Sequence, residues 1–321
     1  METWKSILRQ NFTHWHKLAN YLELSPEQCM HILAKPKFPL NLPLRLAKKI
    51  EKRNLADPIL RQFLPTIEET KEAAGFLEDP VGDQKVRPQK KYLKKYESRA
   101  LVLATGACAM HCRYCFRQNL DYEIQDKSFD KELLTIANDT SLREIILSGG
   151  DPLSLSNRAL GDLLKALEKI PHIKRIRFHS RFPIGIPERI DEHFLEMLQR
   201  SRKQFWFIIH SNHPKEMDED ILYSLKQLQT RGIPVLNQAV LLKGVNDSVP
   251  VLKELCENLA DHGIFPYYLH QLDRVQGASH FEVPEATGKR LVKELANQLS
   301  GYAVPKYVKE ESGAPGKTIL S

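Results

Sequence analysis

Only five cysteines occur in this 321-residue chain, too few and odd in number for a disulfide framework. A membrane-spanning helix needs a run of about 18 or more apolar residues, and the sequence has none. The amino-terminal Met-Glu-Thr-Trp-Lys-Ser also lacks the apolar stretch of a secretory signal. We therefore expect reduced cysteines and a cytoplasmic location, with the isolated Cys29 and Cys256 packing as small hydrophobes.

The remaining composition is that of a globular protein. Apolar residues make up 42% of the chain, which is enough for a sizeable core in one large α/β domain with an appendage, or in two domains. The net charge is +7, and part of it lies in the basic run at 85–95. We interpret that run as a solvated linker, and no nucleic-acid partner is expected because no recognised binding motif accompanies it.

Three of the cysteines form a closely spaced motif. Cys108, Cys112 and Cys115 follow a C-x₃-C-x₂-C pattern in one short segment. A structural zinc site needs a fourth protein ligand, and the adjacent His111 is awkwardly placed to supply it. A [4Fe–4S] cluster held by three cysteines instead keeps one iron open to chelate a substrate or cofactor. The spacing favours the cluster over zinc.

Apolar and amphipathic segments alternate from residue 99 onward. Six short apolar runs predict buried strands: Ala100–Ala104, Glu144–Leu147, Arg175–Phe178, Phe205–Ile209, Val235–Val240 and Phe265–Leu269. Amphipathic helices are predicted between and after them at 129–138, 156–169, 188–200, 217–230, 249–261 and 284–299. This order indicates parallel βαβ units and predicts an α/β fold, a partial (βα)₆ barrel of the TIM type. A doubly wound open sheet is the alternative, although no G-x-G-x-x-G opens the first helix.

We expect three regions along the chain. Residues 1–92 form a helical region, with helical spacing over Trp4–Leu22 and Leu42–Arg53. Residues 93–300 form the barrel core, and residues 301–321 form a carboxy-terminal segment. In such barrels the chemistry lies at the carboxyl ends of the strands, which is where the cysteine motif falls.

Two further motifs accompany the cysteines. Ser148-Gly149-Gly150-Asp151 follows the second predicted strand, where two glycines permit a close backbone approach to a ligand. Near the chain's end, Gly316-Lys317-Thr stands in a Gly/Pro-rich loop. Two interpretations of this loop are open. It is a frayed tail, or Lys317 binds pyridoxal 5′-phosphate (PLP) as a Schiff base. A phosphate-binding loop is excluded because its full spacing and following helix are missing.

The motifs together resemble the lysine 2,3-aminomutase family of radical S-adenosylmethionine (SAM) enzymes, which depend on PLP. More specifically, they resemble the bacterial branch that supplies β-lysine for the modification of elongation factor P. The resemblance runs from about residue 60 to the end. It rests on these segments besides the three motifs: Tyr96-Glu-Ser-Arg99, Phe207-Ile-Ile-His210-Ser-Asn212, Gln238-Ala-Val-Leu-Leu-Lys-Gly-Val-Asn-Asp and Pro266-Tyr-Tyr-Leu-His-Gln-Leu-Asp273.

The resemblance implies a role for each matching residue. The three cysteines would hold the [4Fe–4S] cluster, the glycine motif would bind SAM, and Lys317 would carry PLP. The other implied roles are contacts to PLP by Tyr96, Arg99 and Gln238, pairing of Arg117 with the substrate carboxylate, and binding of the lysine ε-ammonium by Asp273 and Glu310. The implied reaction converts L-lysine to β-lysine. For Lys95, membership of the basic linker competes with any role in the site.

Two departures separate this chain from the longer lysine aminomutases. Ser248 stands where they have a zinc-binding cysteine, so no structural zinc is expected there. The sequence also ends four residues after Lys317, and this brevity resembles the elongation factor P branch. Three other interpretations stay open: a catabolic lysine aminomutase, a radical SAM enzyme that uses no PLP, and a non-enzymatic zinc- or RNA-binding protein. Whether free lysine or a lysyl group on a protein is the substrate is also open.

Overall fold

One nine-stranded sheet organises the part of the chain that the computed structural model describes, residues 3–122 and 128–321. The strands lie side by side in chain order. They are β1 (Tyr92–Leu93), β2 (Arg99–Thr105), β3 (Glu144–Gly149), β4 (Arg175–Ser180), β5 (Gln204–Ile209), β6 (Val235–Val240), β7 (Phe265–His270), β8 (Lys306–Lys309) and β9 (Thr318–Ile319).

The sheet is mostly parallel and open. Strands β2 to β8 pair in parallel, while β1 and β9 pair antiparallel with β2 and β8 at the two edges. The edges do not pair with each other, so the barrel is partial, as predicted. All six predicted strands are present. The sequence analysis did not identify β1, β8 and β9. Strands β1 and β9 have only two residues each, and the four-residue β8 begins at the exposed Lys306.

Helices connect the parallel strands. The described α-helices are α1 (Thr3–Leu8), α2 (Trp15–Tyr21), α3 (Pro26–Cys29), α4 (Leu44–Ala47), α5 (Pro58–Arg61), α6 (Asp130–Asn138), α7 (Asn157–Glu168), α8 (Phe182–Gly185), α9 (Glu192–Gln199), α10 (Glu219–Gln229), α11 (Val249–Asp261) and α12 (Glu285–Ala296). The six predicted after residue 99 correspond to α6, α7, α9, α10, α11 and α12. None of the described helices is both long and apolar enough to cross a membrane.

Side-chain caps determine where several of these helices begin. Ser156, Asp191 and Asp218 each accept a hydrogen bond from a backbone N–H in the first turn of α7, α9 and α10. Such caps satisfy amides that have no partner within the helix. The helices therefore start directly after the strand-end loops, which leaves those loops free to build a site at the carboxyl edge of the sheet.

The amino-terminal region differs from its predicted helices. The spacing over Trp4–Leu22 corresponds to two short helices, α1 and α2, because Phe12 pairs with Leu42 as an isolated β-bridge between them. The segment predicted over Leu42–Arg53 forms only one helical turn, α4. The apolar spacing in this region marks residues that are buried rather than one continuous helix. Trp4, for example, is 1% exposed, and its ring packs edge-on against Phe182 with the two ring centroids 5.4 Å apart.

The basic run before β2 is not a solvated linker. Lys91 is 4% exposed and lies 3.9 Å from Glu132, while Lys94 and Lys95 form ion pairs with Asp139 and Glu310. The prediction was therefore wrong for these three lysines. Sequence composition alone could not show the acidic partners, which come from distant parts of the chain.

Candidate active site

A cavity of about 730 Å³ lies within the curved sheet. Segments from both ends of the sequence contribute to its wall. Every site residue predicted from the sequence lines it: Tyr96, Arg99, Cys108, Cys112, Cys115, Arg117, Ser148, Gly149, Gly150, Asp151, Gln238, Asp273, Glu310 and Lys317.

The cysteine loop follows β2 and is held by the amino-terminal region. Asn41 donates from Nδ2 to the carbonyl oxygen of Cys108 at 3.1 Å, and Asn11 donates to the carbonyl oxygen of Ala109 at 2.7 Å. The backbone N–H of His111 donates to the carbonyl of Asn41 at 2.9 Å. The region whose purpose the sequence did not indicate thus supports the loop that carries the three thiols.

The loop offers three free thiols to the cavity. Burial raises the pKa of Cys115 to about 11 and that of Cys108 well above its ordinary value, so metal binding at these sulfurs must release protons. Within 3–122 and 128–321, no three His, Cys, Asp or Glu side chains converge as a set for a single metal ion. The donor set fits a [4Fe–4S] cluster with one open iron.

The glycine motif packs directly against the cysteine loop. Gly150 donates to the carbonyl of Thr105 at 2.7 Å, and Asp151 N donates to that of Ala107 at 2.8 Å. A Cβ on Gly150 would lie 2.4 Å from the Ala107 carbonyl oxygen, and Gly149 has a φ of +111°. These glycines therefore serve a close approach between two protein loops, which brings the predicted SAM motif beside the predicted cluster ligands.

Asp151 is engaged with the protein itself. Its carboxylate accepts hydrogen bonds from the Ser180 hydroxyl and from the backbone N–H groups of Leu153, Arg181 and Phe182. Burial raises its pKa, and these bonds oppose that shift. The carboxylate therefore joins the glycine motif to the loop after β4, which gives Asp151 a positioning role within the predicted SAM motif.

Arg117 lines the cavity and forms an ion pair that the sequence analysis did not predict. Its Nε donates to Asp83 Oδ2 at 2.7 Å, and its Nη1 lies 3.4 Å from Ser148 Oγ. Burial disfavours the guanidinium charge, but Asp83, Tyr122 and Cys115 together outweigh that effect and the pKa of Arg117 is raised. Asp83 lies in a short turn of the amino-terminal region, where no motif marked it.

Lys317 and Glu310 join the two ends of the sheet. Lys317 Nζ lies 2.5 Å from Glu310 Oε2, and the same carboxylate also accepts from Lys95 and, at 3.0 Å, from the Tyr96 hydroxyl. Burial raises the pKa of Glu310, but the two lysines outweigh it and the net shift is downward. Glu310 lies between β8 and β9, whereas Lys95 and Tyr96 lie between β1 and β2, so this cluster bridges the open side of the barrel.

Asp273 follows β7 and has a different protonation behaviour. Burial raises the pKa of its carboxyl to about 7, against the opposing effect of the Lys317 charge. Glu310 and Asp83 add to the upward shift. The site therefore holds two carboxyl groups with opposite shifts, one ionised beside lysines and one that titrates near neutral pH.

A polar layer crosses the cavity between these groups. His179, His210, Gln238 and His270 come from β4 to β7 or the residues just after them, and Gln238 Nε2 lies 3.1 Å from His210 Nε2. The Nε2 atoms of His179 and His270 are buried and make no hydrogen bond within the described structure. Burial lowers the pKa of all three histidines, that of His210 to about 3, so each is neutral at pH 7.

Sequence analysis named Gln238 of this layer as a contact to PLP but missed the three histidines, although their positions carried a signal. All four side chains stand at the carboxyl ends of strands, where barrel chemistry is located. The two unpartnered nitrogens offer hydrogen bonds to a polar ligand. Nearby, the Arg99 guanidinium stacks on the Tyr96 ring at 3.8 Å, which presents a cation to the cavity. These groups fit an anionic, heteroaromatic cofactor such as PLP.

Comparisons with known proteins agree with this arrangement. Residues 102–256 match the radical SAM superfamily. The whole chain is 39% identical to an L-lysine 2,3-aminomutase from Haemophilus influenzae over 96% of that protein's length. It is 41% identical to the Escherichia coli K12 enzyme of the same name, with 99% of this chain and 94% of that protein covered. The chain belongs to the L-lysine 2,3-aminomutase family.

Other comparisons are coarser. The L-lysine 2,3-aminomutase of Clostridium subterminale is 34% identical over 98% of this chain and 77% of that protein. Among solved structures, a radical SAM methyltransferase from Sphaerobacter thermophilus superposes with a TM-score of 0.50 at 16% identity over 68% of each chain, which supports the fold alone.

Family membership confirms the resemblance found in the sequence. The chain is a radical SAM enzyme and an isomerase of the aminomutase class. Its superfamily implies a [4Fe–4S] cluster and SAM, and lysine 2,3-aminomutases are PLP-dependent.

Proposed function

We propose that this chain converts L-lysine to β-lysine with a [4Fe–4S] cluster, SAM and PLP. One observation carries the proposal: a single cavity receives a three-thiol loop from one part of the sequence and the amine of Lys317 from its far end. When bound, the cluster and SAM supply hydrogen-atom abstraction, and PLP supplies the conjugation through which the amino nitrogen moves from C2 to C3.

The chain's own residues supply the cofactor contacts. Cys108, Cys112 and Cys115 hold the cluster, and the Ser148-Gly149-Gly150 backbone lies beside them for SAM. Lys317 attaches PLP, and Glu310 Oε2 is the acceptor 2.5 Å from its Nζ when that nitrogen is protonated. Arg99, Tyr96 and Gln238 line the same space and are proposed to contact PLP, together with the unpartnered nitrogens of His179 and His270.

Opposite charges at two places in the cavity suit lysine. The Nε of Arg117 already donates a hydrogen bond to Asp83. The terminal nitrogens of this guanidinium are therefore proposed to bind the substrate carboxylate. Asp273 and Glu310 are proposed to bind the ε-ammonium. A shorter or neutral amino acid would place no ammonium group beside these buried carboxylates. Because an unpaired buried charge is unfavourable, the site should discriminate strongly against such substrates.

We also propose that the product serves the modification of elongation factor P, with free lysine as the substrate of this step. The support is the resemblance of the sequence motifs to that branch. Deleting the gene should remove β-lysine from the acid hydrolysate of purified elongation factor P, where chromatography separates it from its isomer lysine. Complementation with wild type should restore it, and complementation with Lys317→Ala should not. Retention of β-lysine in the hydrolysate after deletion would favour the catabolic role.

The activity itself is tested with reconstituted protein. Anaerobic incubation with L-lysine, SAM, PLP and dithionite should produce β-lysine, detected by chromatography after derivatisation. Lys317→Ala should give no β-lysine while retaining wild-type iron and sulfide, because Lys317 lies outside the cluster loop. Borohydride reduction and peptide mapping should place the pyridoxyl group on Lys317. Label on another lysine, or undiminished product from Lys317→Ala, would contradict the assignment.

A further inference from the structure

Arg181 is a buried arginine that contacts a cluster cysteine directly. It follows β4 and is 7% exposed. Its Nη1 lies 2.8 Å from Cys112 Sγ and 2.5 Å from the Tyr114 hydroxyl. Its Nη2 donates to Gln62 Oε1 at 2.7 Å and to Glu216 Oε2 at 2.8 Å. Neither the family resemblance nor any sequence motif marked this residue.

The surroundings hold the guanidinium in place. Its backbone N–H donates to Asp151 Oδ2 at 2.8 Å, and its aromatic neighbour Phe63 lies under the guanidinium, with the ring centroid 4.8 Å away. Asn212 Nδ2 donates both to the Tyr114 hydroxyl at 2.6 Å and to Gln62 Oε1 at 2.9 Å, which fixes the partners of Arg181 as well. The arginine therefore cannot leave the sulfur without breaking a buried network.

Arg181 has a buried carboxylate as its charge partner in addition to its contact with the Cys112 sulfur. Glu216, which is 0% exposed, is the carboxylate paired with Arg181, and it also accepts from Gln62 and two backbone amides. A buried cation is costly unless its partners are well placed. Glu216 meets that condition, and the Nη1 atom of Arg181 remains directed at the Cys112 sulfur.

We propose that Arg181 is a positioning residue that raises the reduction potential of the cluster by donating a hydrogen bond to the Cys112 sulfur. The inference rests on the proposed cluster assignment. One-electron reduction adds negative charge to the cluster and its sulfurs, and a fixed positive donor stabilises that added charge. Hydrogen bonds to the sulfurs and the net local charge are known determinants of cluster potentials.

Two substitutions should move the potential in opposite directions. Arg181→Gln removes the positive donor and should lower the potential, and Glu216→Gln removes the opposing negative charge and should raise it. Each should change the one-electron reduction equilibrium at least tenfold, which corresponds to about 59 mV. Arg113→Lys is the control: Arg113 lies in the cysteine loop and is buried, but it donates to the Glu69 carboxylate and the Phe38 carbonyl rather than to sulfur. It should leave the potential unchanged.

The measurement is a potentiometric titration of reconstituted protein, followed by the electron paramagnetic resonance signal of the reduced cluster, with iron counted in each variant. A wild-type potential in Arg181→Gln at wild-type iron content would overturn the inference, as would shifts of the same sign in both variants. If Arg181→Gln does not retain the cluster, the sign of the shift in Glu216→Gln decides. Wild-type protein that binds no cluster would instead contradict the cysteine assignment itself.

Discussion

The raised pKa of Asp273 predicts that lysine binding strengthens as pH rises through neutrality. Burial places the pKa of this carboxyl at about 7 in the substrate-free protein. Only the ionised form pairs with the ε-ammonium, which is charged throughout this range because the ordinary lysine pKa is about 10.4. Protonation of Asp273 therefore competes with lysine binding below pH 7.

The size of the effect follows from the titration. About one carboxyl in eleven is ionised one pH unit below the pKa, and about ten in eleven are ionised one unit above it. The Kd for lysine should therefore fall about tenfold between pH 6 and pH 8. Norleucine, which has no ε-ammonium, should show no such strengthening. The ratio of the two affinities removes the common titration of PLP and of the α-amino group.

The assay follows the absorption spectrum of the PLP-loaded protein on addition of each amino acid, without reductant. Asp273→Asn should remove the pH dependence of the lysine-to-norleucine ratio. It should also weaken lysine binding by on the order of 2–5 kcal/mol, because the ε-ammonium loses one of its two proposed carboxylate partners in a closed site. A flat ratio in wild type, or unchanged lysine affinity in Asp273→Asn, would mean that the far end of the substrate is held elsewhere, with Glu310 the first candidate.

Three further predictions concern single positions. Gly150→Ala should abolish SAM binding in calorimetric titration, because its new methyl group would lie 2.4 Å from a backbone oxygen. Gly301→Ala is the control and should bind SAM normally, because a methyl group there has no atom within 4 Å. Arg117→Lys should weaken lysine and norleucine binding alike by about tenfold or more, since a point charge cannot replace the planar fork, and an effect on lysine alone would contradict its role at the carboxylate. Asp273→Asn should raise the Tm of the cofactor-free protein at pH 8. The pKa of this carboxyl in the folded protein lies above its ordinary value of 3.8, so the ionised carboxyl destabilises the fold increasingly between about pH 4 and pH 7. A lower Tm in the variant would contradict the burial of Asp273.

The sequence predicted those parts of the site that depend on local pattern. Apolar runs located strands β2 to β7, and the strand ends then placed Cys108 and Gly150 at the same edge of the sheet. Asp83 and Arg181 escaped detection because their meaning lies in partners far along the chain, Arg117 and Cys112. No spacing rule connects such residues, since only the folded barrel brings them together.

The amino-terminal region also makes contacts that sequence patterns could not predict. Apolar spacing predicted its helices but not the bridge of Phe12 to Leu42 that divides them. Nor did it indicate that Asn11 and Asn41 hold the cysteine loop. These contacts are between backbone and amide groups, which leave no hydrophobic pattern. The functional meaning of the region came from the structure alone.

The central claim is tested most directly by following the nitrogen atom. Reconstituted protein should be incubated anaerobically with SAM, PLP, dithionite and L-lysine that carries ¹⁵N at the α-amino group and ¹³C at C3. The account predicts β-lysine in which the two labels are directly bonded, seen as ¹³C–¹⁵N coupling in the NMR spectrum of the product. Consumption of SAM without β-lysine, or β-lysine that has lost the ¹⁵N, would contradict it.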